Sequence, residues 1–321
     1  MSHSAGGDRV STCAWRSRAG PGVEVHGSIG GVEEDRTPDL RIANATLSQL
    51  SYHPVGRGAF YRSRGAAGYH RAMQISPPFG YKEVVPFLKT HKVRLLAPGQ
   101  VPEFAQRGNA IPISHTEFQP VARHYPIVFT TGEGGGNPAV VAVLGLSAGE
   151  NLFYSGGAWA SGSYVPAYAR RHPFCMARLN VNRVEQKDRL ICVEKSALDE
   201  SGEAMFDGEG QPSAKWKDLE RLLSEYEKDL ERSREMCSIL ADYSLLEPFT
   251  MQATLNKDKG GGAMHMTGMQ RVAEKSLENL NAAQLKNLMR KGILARIYMH
   301  LLSLENFARL LERKAGRAAA A

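Results

Sequence analysis

The longest regular pattern in the chain is a stripe of apolar side chains between residues 214 and 243. Its members recur at helical spacing with charged residues between them, and they are Trp216, Leu219, Leu223, Tyr226, Leu230, Cys237 and Leu240. This spacing places them on one face of an α-helix, and Ser213 is positioned to cap the first turn. A helix of this kind has to bury its apolar face, either against the rest of the chain or in a dimer seam.

The part of the chain before this helix is rich in short strands. Lys92 to Ala97 and Pro126 to Thr131 are β-branched or aromatic runs, whereas Ala139 to Leu146 and Arg189 to Glu194 are nearly continuous apolar runs. Continuous apolar runs bounded by turn residues predict strands that are buried on both faces. The acidic, glycine-rich residues 199–212 separate these strands from the helix and predict an exposed loop.

After the helix, Phe249 to Leu255 and Ala263 to Gly268 flank a glycine-rich turn and predict a hairpin. The chain then ends in helices, because Asn281 and Gln284 form a capping-box pattern ahead of further apolar runs. We therefore predict an α+β fold: a β-rich core with a long amphipathic helix, a hairpin and C-terminal helices. The predicted segments are a β-rich part (80–198), the acidic loop (199–212) and a helical and hairpin part (213–317).

Charge and cysteine content exclude several classes of protein. The net charge is +7, of which the residues after 72 carry +4, well short of the clustered basic face of a nucleic-acid binder, so we predict no nucleic-acid binding. The longest apolar run, Ala139 to Leu146, is less than half of a membrane span, and no transmembrane segment is predicted. The cysteines are widely spaced without a CxxC pair, which indicates buried thiols instead of a disulfide framework or a zinc site.

Residues 1–72 differ from the rest of the chain, since they contain nine Arg and no Lys. Removing them leaves 31 basic and 27 acidic residues, a net charge of +4. Residues 30–54 resemble a translation of the antisense strand of a transfer RNA gene. We therefore expect residues 1–72 to be a disordered or spurious extension and Met73 to be the natural start. A disordered basic arm is the alternative.

Two short motifs invite a ligand-binding interpretation. The glycine loop at residues 132–137 lacks the Gly-Lys-Ser/Thr ending of a phosphate-binding loop and leads into a strand, so we interpret it as a turn. His115, Glu117 and His124 are the residue types of a two-histidine, one-carboxylate iron site, and on a strand His115 and Glu117 would share a face. The second histidine follows too closely in sequence for such a site. We predict no metal and no cofactor.

Two residues are candidates for nucleophilic catalysis. Ser147 lies in Gly145 to Gly149, a GxSxG pattern that follows an apolar strand as a nucleophile elbow does. No supporting Asp and His can be assigned, so capping of a turn explains Ser147 better. Cys175 lies in an apolar context that is typical of an unreactive thiol. No catalytic residue is predicted.

The segment from Tyr154 to Phe174 combines aromatic rings with glycines, serines and cations. Rings on a loop beside arginines are the ingredients of a recognition surface. The predicted binding residues are Trp159, Tyr164, Tyr168, Arg170, Arg171 and His172. The same composition also suits a loop whose rings pack inward over the core, and both interpretations remain.

The stretch from Phe118 to Asn180, and above all YVPAYARRHPF at residues 164–174, resembles the core of the bacterial SapC family. The likeness extends from Gly80 to about Lys314. This family is distinct from the peptide-transport permease of the same name, which has membrane spans. The resemblance implies one domain, residues 73–317, associated by family name with bacterial surface layers, and it implies no defined reaction.

The resemblance favours a non-catalytic binding or assembly protein. The alternative is an enzyme or enzyme accessory in peptide or metabolite modification. The partner would be a protein or peptide of unknown identity, and a homo-oligomer is compatible with the sequence. No signal peptide follows Met73, which favours the cytoplasm, whereas the family association points to the cell surface.

Overall fold

The computed structural model describes residues 15–19, 23–27, 59–62, 72–130, 138–181, 184–254 and 263–320. It confirms the predicted α+β fold. Within these ranges, no helix is both long enough and apolar enough to cross a lipid bilayer.

The strands, in chain order, are β1 (Trp15–Ala19), β2 (Val23–Gly27), β3 (Ala59–Arg62), β4 (Ala72–Ile75), β5 (Val84–Pro86), β6 (Lys92–Val93), β7 (Ala110–Pro112), β8 (Ile127–Thr130), β9 (Ala139–Val143), β10 (Tyr154–Ser155), β11 (Ala158–Trp159), β12 (Phe174–Val181), β13 (Val184–Glu194), β14 (Glu203–Ala204), β15 (Leu246–Thr254) and β16 (Ala263–Val272). The α-helices are α1 (Glu103–Arg107), α2 (Phe118–Ala122), α3 (Ala167–Arg170), α4 (Ala214–Asp242), α5 (Ala282–Arg290), α6 (Ile293–Ser303) and α7 (Asn306–Ala320).

The first large sheet has the strand order β15-β16-β8-β9-β7, and all its pairs are antiparallel. Strands β8 and β9 are its buried centre, paired from Ile127↔Ala142 to Thr130↔Ala139. Strand β9 ends three residues before the predicted limit at Leu146. It ends there because the amides of Leu144 and Gly145 donate to the carbonyl oxygen of Asn109, at 2.7 and 3.1 Å, instead of continuing the sheet ladder.

The second large sheet has the order β3-β4-β12-β13-β5. Its central pair, β12 and β13, sets Cys175 opposite Cys192, and both thiols are buried. Strands β6 and β14 form a separate two-stranded sheet, so the predicted strand from Lys92 to Ala97 is limited to Lys92–Val93. The acidic segment is mostly exposed, yet it contributes β14 and the fully buried Met205.

The N-terminal residues 1–72 include strands β1 and β2, which pair as a hairpin, and strand β3, which pairs with β4. Strand β4 pairs in turn with β12. Most of this segment lies outside the described residues. That it is a disordered or spurious extension therefore stays a prediction.

Helix α4 confirms the predicted amphipathic helix almost to the residue. The hydroxyl of Ser213 accepts a hydrogen bond from the amide of Trp216 at 3.1 Å and caps the first turn. Six of the seven stripe residues are buried, and the seventh, Leu219, is partly buried against the core. The apolar face packs within the chain, which makes a dimer seam unnecessary for its burial.

The predicted hairpin is formed by β15 and β16, and the turn between them, residues 255–262, lies outside the described residues. The Asn281 capping box starts α5 as expected, and Gly292 adopts a left-handed conformation (φ 68°) before α6. Helix α6 docks on the sheet through polar side chains. The amide of Ile127 donates to the Ser303 hydroxyl at 2.9 Å, and the amide of Val272 donates to Nε2 of His300 at 3.1 Å.

Candidate functional site

The aromatic block from Tyr154 to Phe174 begins with the small hairpin β10-β11. Tyr154 pairs with Trp159, and the turn consists of Gly156 and Gly157 with φ of 59° and 83°. Two successive positive φ angles define the mirror-image turn that suits a two-residue hairpin, which is why two glycines occur there. The hairpin tip is exposed, whereas the chain on either side of it is anchored in the core.

A buried carboxylate holds this block in place. Glu117 is 4% exposed, and its two oxygens accept four hydrogen bonds. One oxygen binds the amide and the hydroxyl of Ser114, both at 2.8 Å, and the other binds the Tyr164 hydroxyl at 3.0 Å and the Ala167 amide at 2.6 Å. Four donors compensate the carboxylate for its lost hydration. Burial and the Glu117 charge raise the pKa of Tyr164 above its usual range.

The local structure at His115–Glu117 differs from the strand on which these two side chains would have shared a face. The segment is a 3₁₀ turn with a capping box between Ser114 and Glu117, and a strand is absent there. Both carboxylate oxygens of Glu117 already bind donors, and His124 packs beside Tyr125 at a ring distance of 5.9 Å. The three side chains do not converge. Among the described residues, no three His, Cys, Asp or Glu side chains are grouped closely enough to hold a metal ion.

Arg171 is the centre of a second buried cluster. It is 2% exposed, and its guanidinium lies over the rings of Tyr168, Tyr226 and Tyr81 at 4.2, 4.9 and 5.7 Å. Glu227 on α4 supplies the counter-charge at 3.8 Å. The ring faces and the carboxylate together stabilise a cation that would otherwise be very costly to bury.

The Arg171 cluster extends along α4. Glu227 also pairs with Arg189 of β13, and Arg189 lies 3.7 Å from Glu231. The Nε of Arg171 has no hydrogen-bond partner among the described residues. This network ties the aromatic block to the long helix and to the second sheet.

His172 and Trp159 also lie inward. His172 precedes the cis peptide bond to Pro173, and its ring packs against Tyr81 at a centroid distance of 5.5 Å. Burial and the Arg171 charge lower the pKa of His172 to about 4. The imidazole is therefore neutral at physiological pH and adds no positive charge to the block. Trp159 donates from Nε1 to the Tyr125 hydroxyl at 3.0 Å.

The six predicted binding residues thus divide into two groups. Trp159, Tyr168 and Arg171 are buried, and His172 is mostly so. Arg170 is exposed, and its guanidinium lies 5.4 Å from the ring of the half-buried Tyr164 and 3.0 Å from its hydroxyl. Of the cations predicted in this block, Arg170 is the one that reaches solvent.

Ser147 is held in a turn beneath the C-terminal helix α7. Its hydroxyl accepts a hydrogen bond from the Lys314 ammonium at 2.7 Å, and that ammonium forms an ion pair with Glu150 at 3.0 Å. A Cβ atom on Gly145 would lie 1.9 Å from the carbonyl oxygen of Glu150, so only glycine fits this turn. The close approach explains the first glycine of the GxSxG pattern, and the left-handed conformation of Gly149 (φ 75°) explains the second.

The remaining nucleophile candidate, Cys175, is fully buried, and burial raises the pKa of its thiol. Burial likewise raises the pKa of the facing Cys192 to about 12. Neither thiol is in the thiolate form that reacts. The glycine loop at residues 132–137 lies outside the described residues, and its interpretation as a turn stays a prediction.

The family model for SapC matches residues 88–310. This range includes Glu117, Arg171 and helix α4, and Tyr81 of the Arg171 cluster lies just before it. No curated protein and no solved structure matches the chain. Because the family model covers more than half of the chain, this protein belongs to the SapC family.

Proposed function

We propose that this SapC protein acts by binding or assembling with a partner and does not catalyse a reaction itself. The observation that carries the proposal is the condition of the candidate catalytic side chains. Each one is either hydrogen-bonded into the fold or buried with a pKa that keeps it in its unreactive form.

Ser147 illustrates the point. A serine nucleophile needs a neighbouring base that can take its proton. The group that contacts the Ser147 hydroxyl is the Lys314 ammonium, which Glu150 holds as an ion pair. A charged ammonium donates hydrogen bonds and cannot accept the proton. The contact therefore supports a structural role, in which α7 is fastened to the turn.

The proposed binding surface is the outer edge of the aromatic block. It comprises Arg170, Tyr164 and the exposed hairpin tip at residues 155–158. Trp159, Tyr168, Arg171 and His172 support this edge from inside. An arginine beside a tyrosine ring gives forked donors and a rigid contact area, which are common in protein interfaces. The partner would be a protein or peptide, and the family association makes a surface-layer component one candidate.

Reactive probes test the absence of catalysis. We expect a fluorophosphonate to leave Ser147 unlabelled and iodoacetamide to leave Cys175 unlabelled in the native full-length chain. Cys175 should react once the chain is unfolded in urea, which controls for reagent quality. Rapid labelling of native Ser147 that is lost in Ser147→Ala would overturn the proposal, because it would show an activated nucleophile.

Partner binding needs its own test. The full-length chain would be cross-linked in the native bacterium, and the partner recovered would be titrated against purified variants. We expect Arg170→Ala to weaken the affinity by about tenfold, the usual loss for an arginine anchor. Arg221→Ala, an exposed arginine on α4, is the matched control. Equal affinities for both variants and the unmodified chain would remove the block from the interface.

A further inference from the structure

Helices α5 and α6 expose apolar side chains that the fold does not cover. The described residues include six large hydrophobic side chains that are exposed, and four of them lie on these two helices. Leu285 and Met289 of α5 are 38% and 62% exposed, and Tyr298 and Leu302 of α6 are 46% and 68% exposed. Concentration on two neighbouring helices distinguishes this surface, the α5–α6 face, from scattered exposed hydrophobics.

The exposure on α6 follows from the way this helix docks. Its inward face uses the polar side chains of His300 and Ser303, which bond to the backbone of β8 and β16. Arg296 of the same helix is half-buried, and its guanidinium donates a hydrogen bond to the carbonyl oxygen of His115 at 3.3 Å. Since polar residues occupy part of the core side, Tyr298 and Leu302 are left on the solvent side. A helix that is apolar on its outer face needs another apolar phase to cover it.

The charged side chains of the two helices themselves are all cationic. Residues 282–304 contain Lys286, Arg290, Lys291 and Arg296 and no Asp or Glu. Lys291 is paired with Glu235 of α4 at 2.5 Å. Lys286 and Arg290 are exposed on α5, each next in sequence to one of the exposed apolar residues. The surface therefore alternates apolar and cationic side chains.

We propose that the α5–α6 face docks onto a lipid bilayer that contains anionic phospholipids. Cations beside exposed apolar side chains match the headgroup layer, where phosphate and carboxylate groups lie next to hydrocarbon. A second copy of the chain is a poorer match, because an isologous contact would set this cationic face against an identical cationic face. Met289 and Leu302 are more than 60% exposed and therefore protrude, which suits insertion between lipids better than a groove for a peptide.

This inference goes beyond the proposed function and depends on different residues. The partner-binding surface proposed above is the Arg170 edge, whereas bilayer docking depends on the two C-terminal helices. Loss of one property leaves the other measurable in the same purified chain.

Vesicle sedimentation tests the proposal on the full-length chain. We expect binding to phosphatidylcholine vesicles that contain phosphatidylserine, little binding to pure phosphatidylcholine, and weakening by added salt. Lys286→Gln and Arg290→Gln should each weaken binding about fivefold, since one cation near an anionic surface contributes about that factor. Met289→Ser and Leu302→Ser should each weaken it roughly tenfold.

Matched controls show whether vesicle binding depends on the α5–α6 face or on any exposed cation or apolar side chain. Leu88, 54% exposed, lies outside the two helices, and Arg221 is an exposed arginine on α4. Leu88→Ser and Arg221→Gln should bind vesicles like the unmodified chain. All of these changes are at exposed positions, and circular dichroism verifies that each variant is folded.

Three results would overturn the proposal. The first is a failure of the unmodified chain to sediment with anionic vesicles. The second is equal binding by the face variants and their controls. The third is a dimer of the unmodified chain that Met289→Ser or Leu302→Ser converts to a monomer, because the face would then be covered by a second copy.

Discussion

Acidification should destabilise this protein through His300, a fully buried imidazole between α6 and the first sheet. The amide of Val272 donates to Nε2 at 3.1 Å, so Nδ1 carries the proton and donates to the carbonyl oxygen of Ile127 at 2.8 Å. Both ring nitrogens are thus used by the neutral form. Burial lowers the pKa of His300 to about 4, and its hydrogen bond to Ile127 opposes this shift in part.

The magnitude follows from proton linkage. An unfolded histidine has a pKa of about 6.5. Because the folded value is lower, the stabilisation is present above about pH 6.5 and is lost as the pH falls towards 4. Between about pH 7 and pH 5, His300 alone should lower the free energy of unfolding by about 2 kcal/mol.

Urea unfolding measured across this pH range tests the reasoning. His300→Gln removes this titration while offering an acceptor to Val272, so it should lower overall stability and reduce the pH dependence, to which His172 also contributes. His91→Gln, a change at a surface turn, should keep the unmodified slope. The readout is the slope of unfolding free energy against pH, which loss of packing alone does not alter. Equal slopes for His300→Gln and the unmodified chain would refute the argument.

Two further predictions concern the buried clusters, and both are checked by urea unfolding. Glu117→Gln should destabilise the chain by about 2 to 4 kcal/mol, because the new amide nitrogen would face hydrogen-bond donors, whereas Glu103→Gln at an exposed site should change stability little. Arg171→Ala should cost about 3 kcal/mol or more, because Glu227 would lose the buried one of its two cations, and Arg170→Ala should cost less than about 1 kcal/mol.

The sequence predicts elements well where one face repeats. Helix α4 has the predicted limits because its stripe and its Ser213 cap agree. The ends of strands are harder to predict from sequence, since they depend on hydrogen-bonding partners that are distant in the chain. Strand β9 ends where two backbone amides donate hydrogen bonds to the Asn109 carbonyl oxygen. Strand β6 is short because its partner strand, β14, has only two residues. No local pattern carries that information.

Glu117 shows how a local structural signal can be overlooked when the same residues invite another interpretation. Ser114-His-Thr-Glu117 has the S-x-x-E spacing of a capping box, which predicts a helical turn. His115 and Glu117 were instead considered as neighbours on a strand, and a metal site with His124 was not predicted. The Glu117 bonds to Tyr164 and Ala167 span about fifty residues of chain and could not be predicted from either segment alone.

The aromatic block shows why composition alone cannot locate a binding surface in this fold. Rings and arginines favour recognition when they are exposed, but the same groups also suit a buried cation, because ring faces can replace part of its hydration. Arg171 is such a buried cation. It contacts Tyr168 of α3 and both Tyr226 and Glu227 of α4. The cluster therefore connects the second sheet, the aromatic block and helix α4. A substitution within it should affect the stability of the fold before it affects binding. The two surfaces proposed for binding, the Arg170 edge and the α5–α6 face, consist instead of side chains that are exposed or half-buried, where a substitution should cost the fold less.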